Sequence, residues 1–105
     1  SQSEIHATLV HVISWKRLRD FATHHPDAER PLTAWFRVMA RMDFASFAEL
    51  RRAFGSADKA GKFTVFDIAG NHYRLVAAVH YNRRRVYVRH VLTHVEYDRG
   101  NWRND

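Results

Sequence analysis

Two periodicities divide the chain. Up to about residue 54 the apolar side chains recur at helical spacing, and from Lys62 the period drops to two. His11-Val12-Ile13 is a short β-prone run, followed by Ser14 as a helix N-cap and then Trp15, Leu18, Phe21 and Ala22 on one helical face. His24-His25-Pro26 ends that helix, because a residue preceding proline is pushed out of the α region. Asp27 is placed to cap a second helix with Pro31 in its first turn, and Leu32, Trp35, Phe36 and Met39 form its core stripe. Ser46 and Glu49 have capping-box spacing before a short helix over Phe47, Leu50 and Phe54 that Gly55 stops. Residues 56–61 read as a polar loop.

The last third reads as a meander. A strand over 63–69 turns at Gly70-Asn71, a second runs from His72 to Tyr81, and Asn82-Arg83 leads into a third over Arg85 to Thr93. The N-terminal run joins the same sheet as an extra strand. These elements predict an α+β fold with the N-terminal helices packed on one face of a small antiparallel sheet. Alternation puts Arg74, Val76 and Ala78 on one face of the second strand, and Leu75, Ala77 and Val79 on the other. A two-residue turn at Asn82-Arg83 sets Arg89 opposite Val76, diagonal to Arg74. Both arginines then point to the open side of the sheet, away from the helices. The first nine residues, an N-terminal extension or an artificial remnant, are set apart from a single domain over residues 10–105.

Composition narrows the partners. The chain has 105 residues, 46% of them hydrophobic, which suits one globular domain with a modest core. There are no cysteines, so disulfides and thiolate metal sites are excluded and a cytoplasmic setting is expected. No apolar run approaches the roughly 18 residues of a membrane span. Seventeen Lys and Arg against eleven Asp and Glu give a net charge of +6. That balance suits a polyanion (RNA, DNA or a ribosome) or an acidic protein that masks the basic face. Between Lys62 and Arg89 the only acidic residue is Asp67, so the excess concentrates in the strands.

Arg74, Arg89, His94 and Tyr97 fall within this basic third. Guanidinium groups for a phosphate, together with side chains that move a proton near neutrality, are what RNA cleavage without a cofactor requires. Solvated strand arginines and a packed tail tyrosine are the plainer alternative. Lys62, Asn71 and His72 are basic or polar neighbours suited to holding RNA. No metal is expected: on a strand His90 and His94 would stand ~13 Å apart, and no His-Glu-x-x-His pattern occurs. Trp102 reads as a packing residue.

Several of these segments, in order, resemble the HigB-type toxins of bacterial type II toxin–antitoxin pairs. The resemblance runs from about Val10 to Asp98. It rests on Val12-Ile13-Ser14, Leu18, His25-Pro26, Gly70-Asn71 with Arg74, Val76 to Val79, Arg89, and most specifically Thr93-His94-Val95-Glu96-Tyr97-Asp98. The resemblance implies a fold related to RelE and ParE toxins and cleavage of mRNA on the translating ribosome. It further implies inhibition by a HigA-type antitoxin carrying a helix-turn-helix. A mechanism consistent with it is attack of a ribose 2′-OH on the adjacent phosphorus, with Arg74 and Arg89 stabilising charge, His94 moving the proton and Tyr97 assisting. A nucleic-acid-binding module without chemistry and a ParE-like gyrase inhibitor remain the rival expectations.

Overall fold

A computed structural model of the chain describes residues 11–13, 15–41 and 43–104. The N-terminal extension and the Ser14 cap lie outside these residues. Strand β1 (His11–Ile13) leads into α1 (Trp15–His24). A single 3-10 turn, Pro26–Ala28, passes the chain to α2 (Glu29–Arg41), and α3 is Phe47–Ala53. Strands β2 (Asp58–Ala60), β3 (Phe63–Ile68), β4 (Tyr73–His80) and β5 (Arg85–Thr93) follow. A short helix α4 (His94–Arg99) and a last 3-10 turn, Asn101–Asn104, end the described chain.

The α+β reading holds, with two corrections to the sheet. Its order is β1-β5-β4-β3-β2, and β1 runs parallel to β5, so the sheet is mixed rather than antiparallel throughout. Asp58–Ala60 is an edge strand paired with β3, where a polar loop was expected. The tight two-residue turn is therefore Gly61-Lys62, with Gly61 at φ 61°. The other two connections are four residues long. In the first, Ala69, Gly70 and Asn71 all take positive φ, and in the second Arg84 does.

Asp27 does not cap α2. It sits in the 3-10 turn, where its carboxylate accepts a 2.7 Å hydrogen bond from the Tyr73 hydroxyl. Phe21 and His25 pack edge-on against the same tyrosine ring. The end of α1 is thus fastened to the first residue of β4, and Arg74 begins on the opposite side of the strand. The capping box at α3 is formed on one side only. Ser46 accepts from Glu49 N–H, but the Glu49 carboxylate takes the N–H of Ala45 rather than that of Ser46. That helix ends at a Phe54 C-cap.

The main core lies between α1–α3 and one face of the sheet. Leu18, Leu32, Trp35, Met39 and Leu50 meet Phe66, Leu75, Val86 and Val88 there. Leu18, Leu32 and Leu50 are at most 2% exposed, and fully burying a leucine contributes roughly 1.5–3 kcal/mol. The other face, expected to be open, is partly covered. Phe63, Val65, Val76 and Trp102 form a second small core against which Tyr97 packs. No helix among the described residues is long and apolar enough to cross a membrane.

Candidate functional site

The register between β4 and β5 decides where the cations stand. From the turn, His80 pairs with Arg85 and Ala77 with Val88, as a turn centred on Asn82-Arg83 requires. The ladder then shifts, so that Val76 pairs with His90 and Arg74 with Leu92. Arg89 is the extra residue of a β-bulge, where two residues oppose one. It is therefore not paired opposite Val76 as the uninterrupted register predicts. Val88 and Val91 on either side both pack into the helix-covered core, which leaves the Arg89-His90 doublet for the other side of the sheet. Arg89 is exposed.

Arg74 lies on that same distal side but is buried, at 9% exposure. It is cross-strand partner to Asp67, and its Nε lies 3.2 Å from that carboxylate. Its Nη1 donates to the carbonyls of Asn71 and Tyr73. Its guanidinium carbon stands 5.3 Å from the centre of the Tyr97 ring. The two arginines thus differ in kind: one is tied into the fold and the other faces solvent.

Helix α4 supplies the proton-transfer candidates. Thr93 caps it in a complete capping box: its hydroxyl accepts from Glu96 N–H, and the Glu96 carboxylate accepts from Thr93 N–H. Gly100 closes the helix in the left-handed conformation, at φ 77°. His94 is thus the first residue of a helix and not the end of a strand, so the strand spacing invoked between His90 and His94 does not apply. Its imidazole is half exposed, and Nε2 lies 3.3 Å from the Asp98 carboxylate one turn on. A carboxylate in that position can fix the ring's orientation.

Tyr97, on the inward face of α4, stacks on Trp102 at 5.1 Å and 11°. The Trp102 indole N–H donates to the Tyr97 carbonyl at 2.9 Å, and Trp102 is buried, as a packing residue should be. Arg74 and Tyr97 therefore touch. Among the described residues neither Arg89 nor His94 makes a hydrogen bond or ion pair with them.

The neighbours are spread around this centre. Lys62 sits exposed in the β2–β3 turn with its ammonium 5.2 Å from the Phe63 ring. Asn71 and His72 are exposed in the β3–β4 turn, and it is the Asn71 carbonyl, not its side chain, that holds Arg74. A cleft of about 290 Å³ opens beside His90, Leu92, Glu96, Arg99 and Trp102. Among the described residues no group of three or more His, Cys, Asp or Glu could hold a metal ion.

Asp67 and Asp98 are the partners that sequence reasoning missed. Both had a signal. The Gly70-Asn71 turn sets residue 67 opposite 74, and residue 98 is one helical turn from 94 once α4 is recognised.

Comparison with known proteins identifies the family. Residues 28–100 match the family described as HigB_toxin, RelE-like toxic component of a toxin-antitoxin system. The chain is 31% identical over 93 residues to an mRNA interferase HigB of Escherichia coli O6:H1, covering 86% of this chain and 90% of that protein. It is 35% identical over 92 residues to the mRNA interferase toxin HigB of Escherichia coli K12, covering 85% and 88% respectively. The same figures hold for the mRNA interferase HigB of Shigella flexneri. The chain belongs to the HigB family of RelE-like toxins, the toxic components of toxin–antitoxin systems.

Proposed function

We propose that this chain is an mRNA endoribonuclease that acts on messages engaged by the ribosome in the cytoplasm, and that a HigA-type helix-turn-helix antitoxin restrains it. The observation that carries the reading is the match, over 85% of the chain, to a relative named as an mRNA interferase toxin. The basic distal face of the sheet supports it.

The chemistry is transesterification within RNA, with no metal required. A ribose 2′-OH attacks the adjacent phosphorus, its proton passes to a base, and a pentacoordinate phosphorane forms. The P–O5′ bond then breaks and the 5′-oxygen takes a proton. The products are a 2′,3′-cyclic phosphate and a 5′-hydroxyl.

His94 is the base, because imidazole alone among these side chains exchanges protons readily near neutrality. Asp98 orients it. The Arg89 guanidinium, exposed on its bulge, meets the phosphate oxygens. Tyr97 directs its phenol edge at the phosphate or the leaving oxygen. Lys62, Asn71 and His72 line the approach of the strand.

Incubation of the purified chain with translating ribosomes, followed by analysis of the RNA ends, tests this reading. Cyclic phosphate and 5′-hydroxyl ends are expected. Ends carrying 3′-hydroxyl and 5′-phosphate would mean that water, not the 2′-OH, is the nucleophile, and intact message would remove the activity altogether.

A further inference from the structure

We propose that Arg74 is a positioning residue and not a phosphate ligand: locked by Asp67 and the turn before it, its guanidinium holds Tyr97 in place against Trp102. The proposal rests on the ribonuclease reading above and sharpens it. The same residue type at Arg74 and Arg89 would suggest a two-arginine phosphate clamp. The contacts of the two side chains separate their roles.

A guanidinium grips a phosphate through a fork of two N–H groups, either Nε with Nη2 or Nη1 with Nη2. In Arg74 each fork has lost a member. Nε is paired with Asp67 at 3.2 Å, and Nη1 donates to the carbonyls of Asn71 at 3.1 Å and Tyr73 at 3.3 Å. The side chain is 11% exposed. To bind a phosphate bidentately, Arg74 would have to give up its ion pair with Asp67 or release the turn that shapes the sheet's end.

Nη2 and the flat of the guanidinium remain, and the guanidinium carbon lies over the Tyr97 ring at 5.3 Å. Beyond it the stack continues: Tyr97 on Trp102 at 5.1 Å, and the Arg103 guanidinium 4.9 Å from the indole. Asp67, Arg74, Tyr97, Trp102 and Arg103 thus form one column from β3 to the end of the described chain. With the Arg74 guanidinium over it and Trp102 stacked on it, the Tyr97 ring is held in one orientation. Arg74 therefore acts through Tyr97, and the cation that RNA itself meets is Arg89.

The test compares two readouts in Arg74→Ala, Asp67→Asn, Asp67→Asn/Arg74→Ala and Arg89→Ala. One is single-turnover cleavage. The other is the salt dependence of binding to a 2′-O-methyl oligonucleotide, which lacks the nucleophile and cannot be cut. Losing a phosphate contact flattens the slope of log K against log salt by ~0.7 on single-stranded nucleic acid. Arg89→Ala should flatten it by that amount, whereas Arg74→Ala should leave it unchanged and still slow cleavage on the order of 10²-fold, the effect of misplacing a reacting group. Asp67→Asn preserves size and keeps the arginine, so it reports even if Arg74→Ala does not fold. It should also slow cleavage, and the double variant should be no slower than the slower single.

A slope that flattens in Arg74→Ala, or an Asp67→Asn variant that cleaves at the parent rate, overturns the proposal. Absence of cleavage by the parent chain would instead defeat the ribonuclease reading, and the slopes would still decide which arginine touches the phosphate.

Discussion

His94 carries more of the proposed chemistry than any other side chain, and its surroundings allow it to be tested cleanly. The ring is half exposed and belongs to the first turn of a six-residue helix, so its replacement should disturb little packing. His94→Gln is expected to melt close to the parent and to lose cleavage by about 10²–10⁴-fold. Asp98→Asn should lose less, since the imidazole can still accept a proton without its orienting partner. Parent-like cleavage in His94→Gln would move the proton to Tyr97 or to a ribosomal group. Arg89→Ala removes an exposed cation from a bulge; single-turnover cleavage should fall roughly 10²-fold or more with little change in melting temperature. At this scale the sequence reveals which residue types could do chemistry, but not which are already engaged. Arg74 and Arg89 look alike as letters in a chain. They diverge because Asp67, one strand away, takes one of them and a bulge exposes the other.

The elements matter because the chemical groups sit on the weakest of them. Helix α4 is only six residues long and depends on its caps. Thr93→Ala removes the hydroxyl that accepts the Glu96 N–H and should cost about 1 kcal/mol of local stability. Hydrogen exchange at residues 94–99 should speed up and cleavage should fall even though Thr93 takes no part in the reaction; unchanged exchange would show that packing by Tyr97 alone holds the helix. The contact between the 3-10 turn and β4 has a pH signature. The Tyr73 phenol titrates above its ordinary value, chiefly because it donates to Asp27, with burial adding to the effect. The neutral phenol is the form the fold prefers, so its contribution is complete below about pH 10 and is lost as pH rises through the raised value. Thermal melts at stepped pH should show the advantage of the parent over Tyr73→Phe shrinking above pH 10. An advantage that persists there would mean the hydrogen bond is not its source.

The stripes of α1 and α2 were legible at this scale because each has four apolar positions in phase, and the shorter α3 because Ser46 and Glu49 mark its start. Strand β2 was not, since Asp58-Lys59-Ala60 has no β-branched or aromatic residue and is recognisable only by the strand beside it. The step of three from Val88 to Val91 at the bulge is hidden in the sequence by Leu92, which continues the uninterrupted alternation of Val86 and Val88. The bulge shifts the register by one residue all the same.

On the scale of the whole molecule, three helices cover one side of the sheet, and the short α4 with the final 3-10 turn covers part of the other. Arg89 there, and Lys62, Asn71 and His72 in the turns at the ends of the strands, are exposed in a chain of net charge +6. Such a surface is drawn to polyanions and must be neutralised or obstructed in the cell that makes it. An antitoxin that presents acidic residues to this side should slow cleavage more at low salt than at high salt, whereas one that only blocks entry to the ribosome should leave binding to a 2′-O-methyl oligonucleotide untouched.

Growth arrest through the cutting of messages is the outcome expected of this chain. Mapping mRNA 5′ ends across the genome after brief induction addresses it directly, with the parent compared to His94→Gln and Arg89→Ala. The parent should create new ends within open reading frames, and both variants should largely abolish them. Growth arrest with intact messages, accompanied by altered DNA supercoiling, would contradict it and assign the toxicity to DNA gyrase.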